Sequence, residues 1–376
     1  MMNVKLIRYV DKYVFGGFIL IFFWLKYLFV GQKKRIIHHP KKILVIRLWA
    51  LWSSLLTFPM IKQLQGHYGK DVQYDLLATS RNIGVFKNQW YFGQIYNLFS
   101  LKGALKMLLS FKKYDIVIDA EEYFMISAFL SLRTGKINVW YTNIMVRWLA
   151  YNSGIFYNDQ QHSLVTTLDL IKKIGIDYTI PEYMEPLVYV QKDTIRVDAF
   201  LSAYTWTFVC MHTWWAETAK ERSWPQKKWI QLIIALCEKY PTLYVFLSGT
   251  DFEKDIVQNI LHELPQKYHS HVLNICWTFN LFEFAYLLEK CDLMISNDTW
   301  PMHLAAAMRT KTIGLFGPEL PRKFGPWPLG KNIWLYKWKG LAFINVHLAQ
   351  WKKDNEYSID RISVEDVMKE IKILKW

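Results

Sequence analysis

From residue 41 to residue 318 the chain alternates short apolar runs with longer segments whose apolar residues recur at helical spacing. "KKILVIRL" (41–48), "VQYDLLAT" (72–79) and "YDIVIDAEE" (114–122) read as buried strands, and "SSLLTFPMIKQLQGHYG" as the helix after the first of them. Strands of a parallel sheet are covered on both faces, so they appear as continuous apolar runs rather than as alternation. From residue 180 the pattern lapses into "IPEYMEPLVYVQKDTIRV" and then resumes. "TFVCMHT", "LYVFLSGT", "HVLNICW", "DLMISND" and "KTIGLFGP" are separated by helical stretches near 226–239, 252–263, 281–289 and 301–309. Two β-α series separated by a linker predict an α/β chain of two Rossmann-like, doubly wound domains, over 41–190 and 191–350. The end, 351–376, carries "SVEDVMKEIKILKW", a helix expected to pack on the body.

The first 40 residues form a separate, basic and apolar segment. Nine Lys and Arg precede residue 43, against Asp11 alone, and eight of them flank "YVFGGFILIFFWLKYLFVG" (13–31), which is broken only by Lys26. Such a stretch is near the length that spans a bilayer. It could be a short anchor, an interfacial helix or a buried arm. The basic run Lys33-Lys34-Arg35 favours a membrane surface with anionic headgroups on the cytoplasmic side. No small-residue cleavage site follows.

Net charge is +14, with hydrophobic residues at 52% and charged residues at 21%. A nucleic-acid partner is not expected, because no basic helix or aromatic RNA-binding strand accompanies the charge. Cys210, Cys237, Cys276 and Cys291 form no C-x-x-C pair and are read as reduced, buried thiols. The ten histidines show no ligand spacing, so no metal is expected.

In open α/β sheets ligands bind at the carboxyl ends of the strands. The turns there are "RLWALWSS" (47–54), "HTWWAETAKERSWP" (212–225), "CWTFN" (276–280) and "SNDTWP" (296–301). None is a G-x-G-x-x-G fingerprint, and each contains Trp where a tight turn would ordinarily hold Gly. In the last, Pro301 is placed at the first helical position, making Trp300 the N-cap.

These stretches resemble glycosyltransferase family 9, the heptosyltransferase-like enzymes of lipopolysaccharide assembly. "NDTWPMHLAAAMRTKTIGLFGP" is similar to the family's donor-site signature, N/S-D-T/S-G-P-M-H-L-A-A-A followed by a strand ending F-G-P. "KKILVIRLWALWSSLLTFPMI" resembles its opening strand, turn and helix, and "AKERSWPQKKW" its basic-x-Trp-Pro segment. "CWTFNLFEFAYLLEKCDLMISND" resembles its approach to the donor motif. The likeness runs over about residues 41 to 350, in order.

The resemblance implies a GT-B enzyme with two domains facing a cleft: the acceptor on the first, the nucleoside-diphosphate sugar on the second, and no metal or other cofactor. Independently, the chain contains no D-x-D, the usual metal-diphosphate pair of the other transferase fold. The leaving diphosphate would then be held by helix N–H groups and basic side chains. Lys220, Arg222, Asp298, Thr299, Trp300, His303 and Gly317 fall on or beside the matched donor positions. Asp298 and Thr299 could equally be helix caps, and His303 a packed residue.

Two departures stand out. Trp52, Trp277 and Trp300 occupy family glycine positions, as do Trp140, Trp148 and one or both of Trp214 and Trp215. The chain holds 18 Trp. Three explanations compete: a plugged, inactive homologue; tryptophans used as stacking platforms; or UGA codons that the source reads as glycine. The third is favoured, because richness in Lys, Ile, Tyr, Phe and Asn points to an AT-rich genome. Trp224 and Trp229 fit as true tryptophans. Secondly, Ser53 stands where many members carry the presumed catalytic Asp, and serine is no base at neutral pH. The acidic strand end "DAEEYF" offers Glu121 first and Asp119 second. His162 is a weaker candidate for acceptor contact.

The expected activity is inverting sugar transfer to a lipopolysaccharide-type or other glycolipid acceptor, at the cytoplasmic face of the inner membrane, held there peripherally or by one amino-terminal anchor. The rivals are an inactive homologue that binds a glycolipid or partner, and a sugar-nucleotide epimerase.

Overall fold

The computed structural model describes residues 11–21, 37–142, 147, 153–204, 207–213, 222–337 and 359–373. The chain divides into two compact units, Met1–Pro181 and Glu182–Trp376.

The first unit is a six-stranded parallel sheet in the order β3-β2-β1-β4-β5-β6. Its strands are β1 (Lys42–Ile46), β2 (Gln73–Ala78), β3 (Gln94–Asn97), β4 (Tyr114–Asp119), β5 (Gly135–Tyr141) and β6 (Ser153–Ile155). Helices α1 (Leu51–Leu55) and α2 (Thr57–Tyr68) follow β1, α3 (Leu101–Leu109) follows β3, α4 (Met125–Thr134) follows β4 and α5 (Ser163–Lys172) follows β6. Residues Ile43 to Ile46 are wholly buried, as a strand paired on both edges and covered on both faces requires.

The second unit repeats the plan in the order β12-β11-β10-β7-β8-β9. It opens with α6 (Gln191–Leu201), then β7 (Thr207–His212), α7 (Gln226–Lys239), β8 (Leu243–Ser248), α8 (Lys254–Glu263), β9 (Val272–Asn274), α9 (Leu281–Lys290), β10 (Leu293–Asn297), α10 (Trp300–Ala307), β11 (Lys311–Phe316), α11 (Pro321–Phe324), β12 (Ile333–Tyr336) and α12 (Val364–Ile373). The final helix buries Val367 and Ile371 in the same core as Trp224 and Trp229. Trp224 Nε1 donates to Ile362 O at 2.9 Å, which fastens the carboxyl-terminal helix to the unit.

Two local readings change. The stretch from 180 to 197 is not all linker: α6 begins at Gln191, and Glu182 and Tyr183 already bond Lys331 of the second unit. The division therefore lies ahead of residue 190. At the amino terminus, a π-helical turn (Asp11–Phe15) leads into helical residues 16–21, and 22–36 lie outside the described residues. Among the described residues no helix is long and apolar enough to cross a membrane. What is described is packed on the first unit. The Asp11 carboxylate accepts the N–H groups of Met125 and Ile126, both at 2.9 Å, and so caps α4. Phe15 and Phe18 meet the ring of Phe129.

Candidate functional site

In the first unit the carboxyl ends of β1 and β4 are neighbours, since Ile46 pairs with Asp119. The strand read as 114–122 stops at Asp119, and this frees Glu121 for the loop beyond. Glu121 is buried, and its Oε1 accepts from Leu48 N at 2.6 Å and Trp49 N at 3.1 Å. Burial raises its pKa to about 7, against the lowering influence of Arg47 and these backbone bonds. Arg47 braces the same edge, donating to Ser53 O at 3.2 Å and to Ala120 O.

Ser53 is brought to this edge, but its hydroxyl is engaged locally, donating to Trp49 O at 2.8 Å. Serine in a helix commonly bonds back to the preceding turn in this way. Asp119 also lies close, with a different task. It is inaccessible to solvent, pairs with Arg147 at 2.8 Å, and accepts the N–H of Glu121 at 3.0 Å. Arg147 in turn donates to Glu121 O and Ser127 Oγ. Of the two carboxylates, Asp119 is the support and Glu121 the group at the turn. His162 caps α5, its Nδ1 accepting from Leu164 N at 3.1 Å.

In the second unit Asn297 ties the turn after β10 to its neighbours. It accepts from Trp224 N at 3.1 Å and donates to Thr213 O at 3.0 Å. The N-cap of α10 is Thr299, with Trp300 the first helical residue and Pro301 the second. This corrects the placement of Trp300 as cap: Thr299 holds the extended backbone (φ −140°, ψ 168°) that a cap requires. The Thr299 hydroxyl nevertheless caps nothing. It meets Ser296 Oγ at 3.0 Å and donates to Asn297 O at 3.3 Å. His303 is buried on the first turns of the helix, and Gly317 is buried just past β11.

Arg222 stands between two buried carboxylates. It lies 3.5 Å from Asp298 and bonds Glu319. Burial raises the pKa of Asp298 to about 7, with Arg222 opposing and Glu319 adding to the rise. Glu319 is also raised, again chiefly by burial. Glu319 is a donor-side residue that sequence reading missed, although it directly follows the matched F-G-P. Lys220, Trp148, Trp214 and Trp215 lie outside the described residues. Among the described residues, no three His, Cys, Asp or Glu are grouped as metal ligands would be.

The tryptophans divide. Trp277 holds φ 56° and is 72% exposed. Trp300 is half-buried against Phe284 with the backbone of a helix start, and Trp52 lies within α1, where the residue of positive φ is the N-cap Ala50 (φ 62°), just ahead of the helix. Only Trp277 among these three therefore has a backbone that asks for glycine. Trp140 is sealed in the first unit, its Nε1 donating to Glu121 O at 2.7 Å under the Arg147 guanidinium.

Residues 103–340 match the model of glycosyltransferase family 9 (heptosyltransferase), well over half of the chain. The chain belongs to glycosyltransferase family 9. It is a glycosyltransferase, and its two parallel sheets are the pair expected of the GT-B architecture. Lipopolysaccharide heptosyltransferase 1 of Campylobacter coli is 24% identical over 300 residues, spanning 73% of this chain and 84% of that protein. Among solved structures, a family 9 glycosyltransferase from Veillonella parvula superposes with a TM-score of 0.74 at 16% identity, covering 91% of this chain and 99% of that one. The ADP-heptose lipopolysaccharide heptosyltransferase II of E. coli gives 0.70 at 18% identity, covering 89% and 98%.

Proposed function

We propose that this family 9 enzyme transfers a sugar, with inversion and without a metal, from a nucleoside-diphosphate donor on its second unit to a hydroxyl of a lipopolysaccharide-type glycolipid on its first. The names of its relatives make ADP-heptose the first donor to try. One observation carries the chemistry: Glu121 is a buried carboxylate with a pKa near 7 at a strand's carboxyl end, the range in which a general base works best. Both of its backbone bonds fall on Oε1. In this reading Oε2 takes the acceptor proton as the hydroxyl oxygen attacks the anomeric carbon and the diphosphate departs from the opposite face. Asp119 and Ser53 are positioning residues, holding the loop and the turn.

On the donor side the reading assigns the developing diphosphate charge to Arg222, Lys220 and the start of α10, where the Thr299 hydroxyl caps no N–H, Pro301 has none and Met302 N donates to Thr299 O at 3.2 Å. A helix start and cations provide what a metal supplies in other transferases. The amino-terminal segment would keep the enzyme at the cytoplasmic face of the inner membrane, beside a lipid-linked acceptor.

An indole at position 300 would crowd the place proposed for the diphosphate. We infer that UGA in this gene is read as glycine, a reading supported by the left-handed backbone of Trp277. Mass spectrometry of the tryptic peptides Tyr268–Lys290 and Cys291–Arg309, taken from the native source, tests it directly. Glycine at 277 and 300 is expected; tryptophan at both ends the decoding idea.

Product analysis with ADP-heptose and a deacylated lipopolysaccharide core tests the reaction. The expected product is a glycosylated core with inverted anomeric configuration, formed in the presence of chelator. An isomerised nucleotide-sugar would make the protein an epimerase, and no turnover by the correctly decoded chain would make it an inactive homologue.

A further inference from the structure

The helix α3 has its outward face apolar and its surroundings basic. Leu101 and Leu109 are each 78% exposed, and Leu105, Leu108, Phe99 and Phe111 are exposed beside them. Leu101, Leu105 and Leu108 are four and three residues apart, so they line one stripe of the helix. The inward face is fixed separately. Met107 is buried, and Gly103 lies so close to the Asn97 carbonyl that a Cβ there would collide with it. Ser100 caps the helix by accepting the Gly103 N–H at 3.1 Å. The exposed stripe is therefore not core turned the wrong way: the helix has a buried side already, and this is its other side.

Charge identifies the occupant. Residues 99 to 113, "FSLKGALKMLLSFKK", carry four lysines and no acidic residue. Lys102 and Lys106 are exposed and stand next in sequence to Leu101 and Leu105, on the strip adjoining the apolar stripe. Arg133 of α4 lies over the ring of Phe111. Leucines and phenylalanines with a cationic border, on a helix held parallel to the protein surface, make up the pattern of an interfacial helix. Its natural partner is a bilayer with anionic headgroups, in which the apolar side chains reach the acyl boundary and the lysines meet phosphate.

We propose that α3 is a membrane-docking surface for anionic phospholipid, additional to the amino-terminal segment. Both elements pack on α4. Asp11 holds its first turn, and at its other end Lys112 N donates to Arg133 O at 2.9 Å while Arg133 bonds Leu108 O. The inference does not rest on the transfer chemistry, and none of these residues belongs to the donor or base positions.

The test uses the full chain and vesicles of phosphatidylethanolamine with phosphatidylglycerol, against phosphatidylcholine alone. Wild type is expected to co-sediment with the anionic vesicles, less so as salt is raised. Leu105→Glu with Leu108→Glu should lower the partition coefficient by about tenfold or more. Lys102→Glu with Lys106→Glu should lower it on anionic vesicles alone, again by about tenfold or more. Circular dichroism and transfer to the water-soluble core check that both variants fold and work. Because the amino-terminal segment adds its own share to vesicle binding, a polarity-sensitive dye on Leu105→Cys provides a readout of α3 alone. A blue shift on anionic vesicles supports the proposal, and unchanged emission overturns it. Vesicle binding equal to wild type in both double variants also overturns it. So does a concentration-dependent dimer that the leucine changes abolish while lipid binding persists, which would make the face a contact between copies.

Discussion

Asp119 and Arg147 are paired at 2.8 Å with both side chains closed to solvent. Removing one member of such a pair leaves a charge stranded in the interior. Arg147→Met is therefore expected to cost about 3–5 kcal/mol, whereas Asp119→Asn and Arg147→Met combined should cost less than the sum of the two single changes. Urea unfolding of the three variants measures this. Additive losses would show that the pair is not coupled.

Glu121 at about 7 fixes the sign of the pH dependence. Below that pH the carboxylate holds its proton and cannot accept another, so kcat/KM should fall about tenfold per unit on the acid side. Glu121→Gln should lower kcat by about 100- to 10,000-fold, with little change in donor KM. Asp119→Asn, acting through the loop, should keep more activity than Glu121→Gln; the reverse order would make Asp119 the base.

The donor side should respond to pH in the opposite sense. Asp298 becomes ionised above about 7 and then places a negative charge beside the position proposed for the diphosphate. Donor KM should accordingly rise as pH increases through that range, and Asp298→Asn should flatten the rise. Arg222→Ala should raise donor KM at every pH. Steady-state kinetics in which donor concentration is varied at each pH separates the two effects.

Two tryptophan changes should have opposite effects. Trp277→Gly relieves a left-handed backbone at an exposed site and should stabilise the chain by about 1 kcal/mol. Trp140→Gly empties a buried site and removes the bond to Glu121 O, for a loss of about 3–5 kcal/mol. Thermal unfolding of the tryptophan-encoded protein decides both.

Most of the architecture was legible because buried parallel strands are apolar throughout. "ILVI" and "IVI" in the first sheet and "VFL" and "LMI" in the second announce themselves. The edge strands of the first sheet do not. "QIYN" of β3 and "SGI" of β6 pair on one side only and are short, so nothing in their pattern separates them from loop. The site divides similarly. Glu121 and Arg222 lie in or beside recognisable turns, but Arg147 comes from a stretch that the sequence reading assigned to no element. Its importance rests on a partner 28 residues away. The extent of the amino-terminal segment's packing was hidden for the same reason. Asp11 reads as a stray acid among bases until the start of α4, over a hundred residues on, is seen bonded to it.

That cap links two ends of the molecule's work. Helix α4 begins four residues after Glu121, and its first turn is held by a carboxylate from the segment expected at the lipid surface. A tilt or tug on that segment would be carried by two 2.9 Å hydrogen bonds into the start of α4, beside the loop that holds the candidate base. The enzyme would then be tuned by its own mooring: fully aligned when the amino terminus is seated, slack when it is adrift.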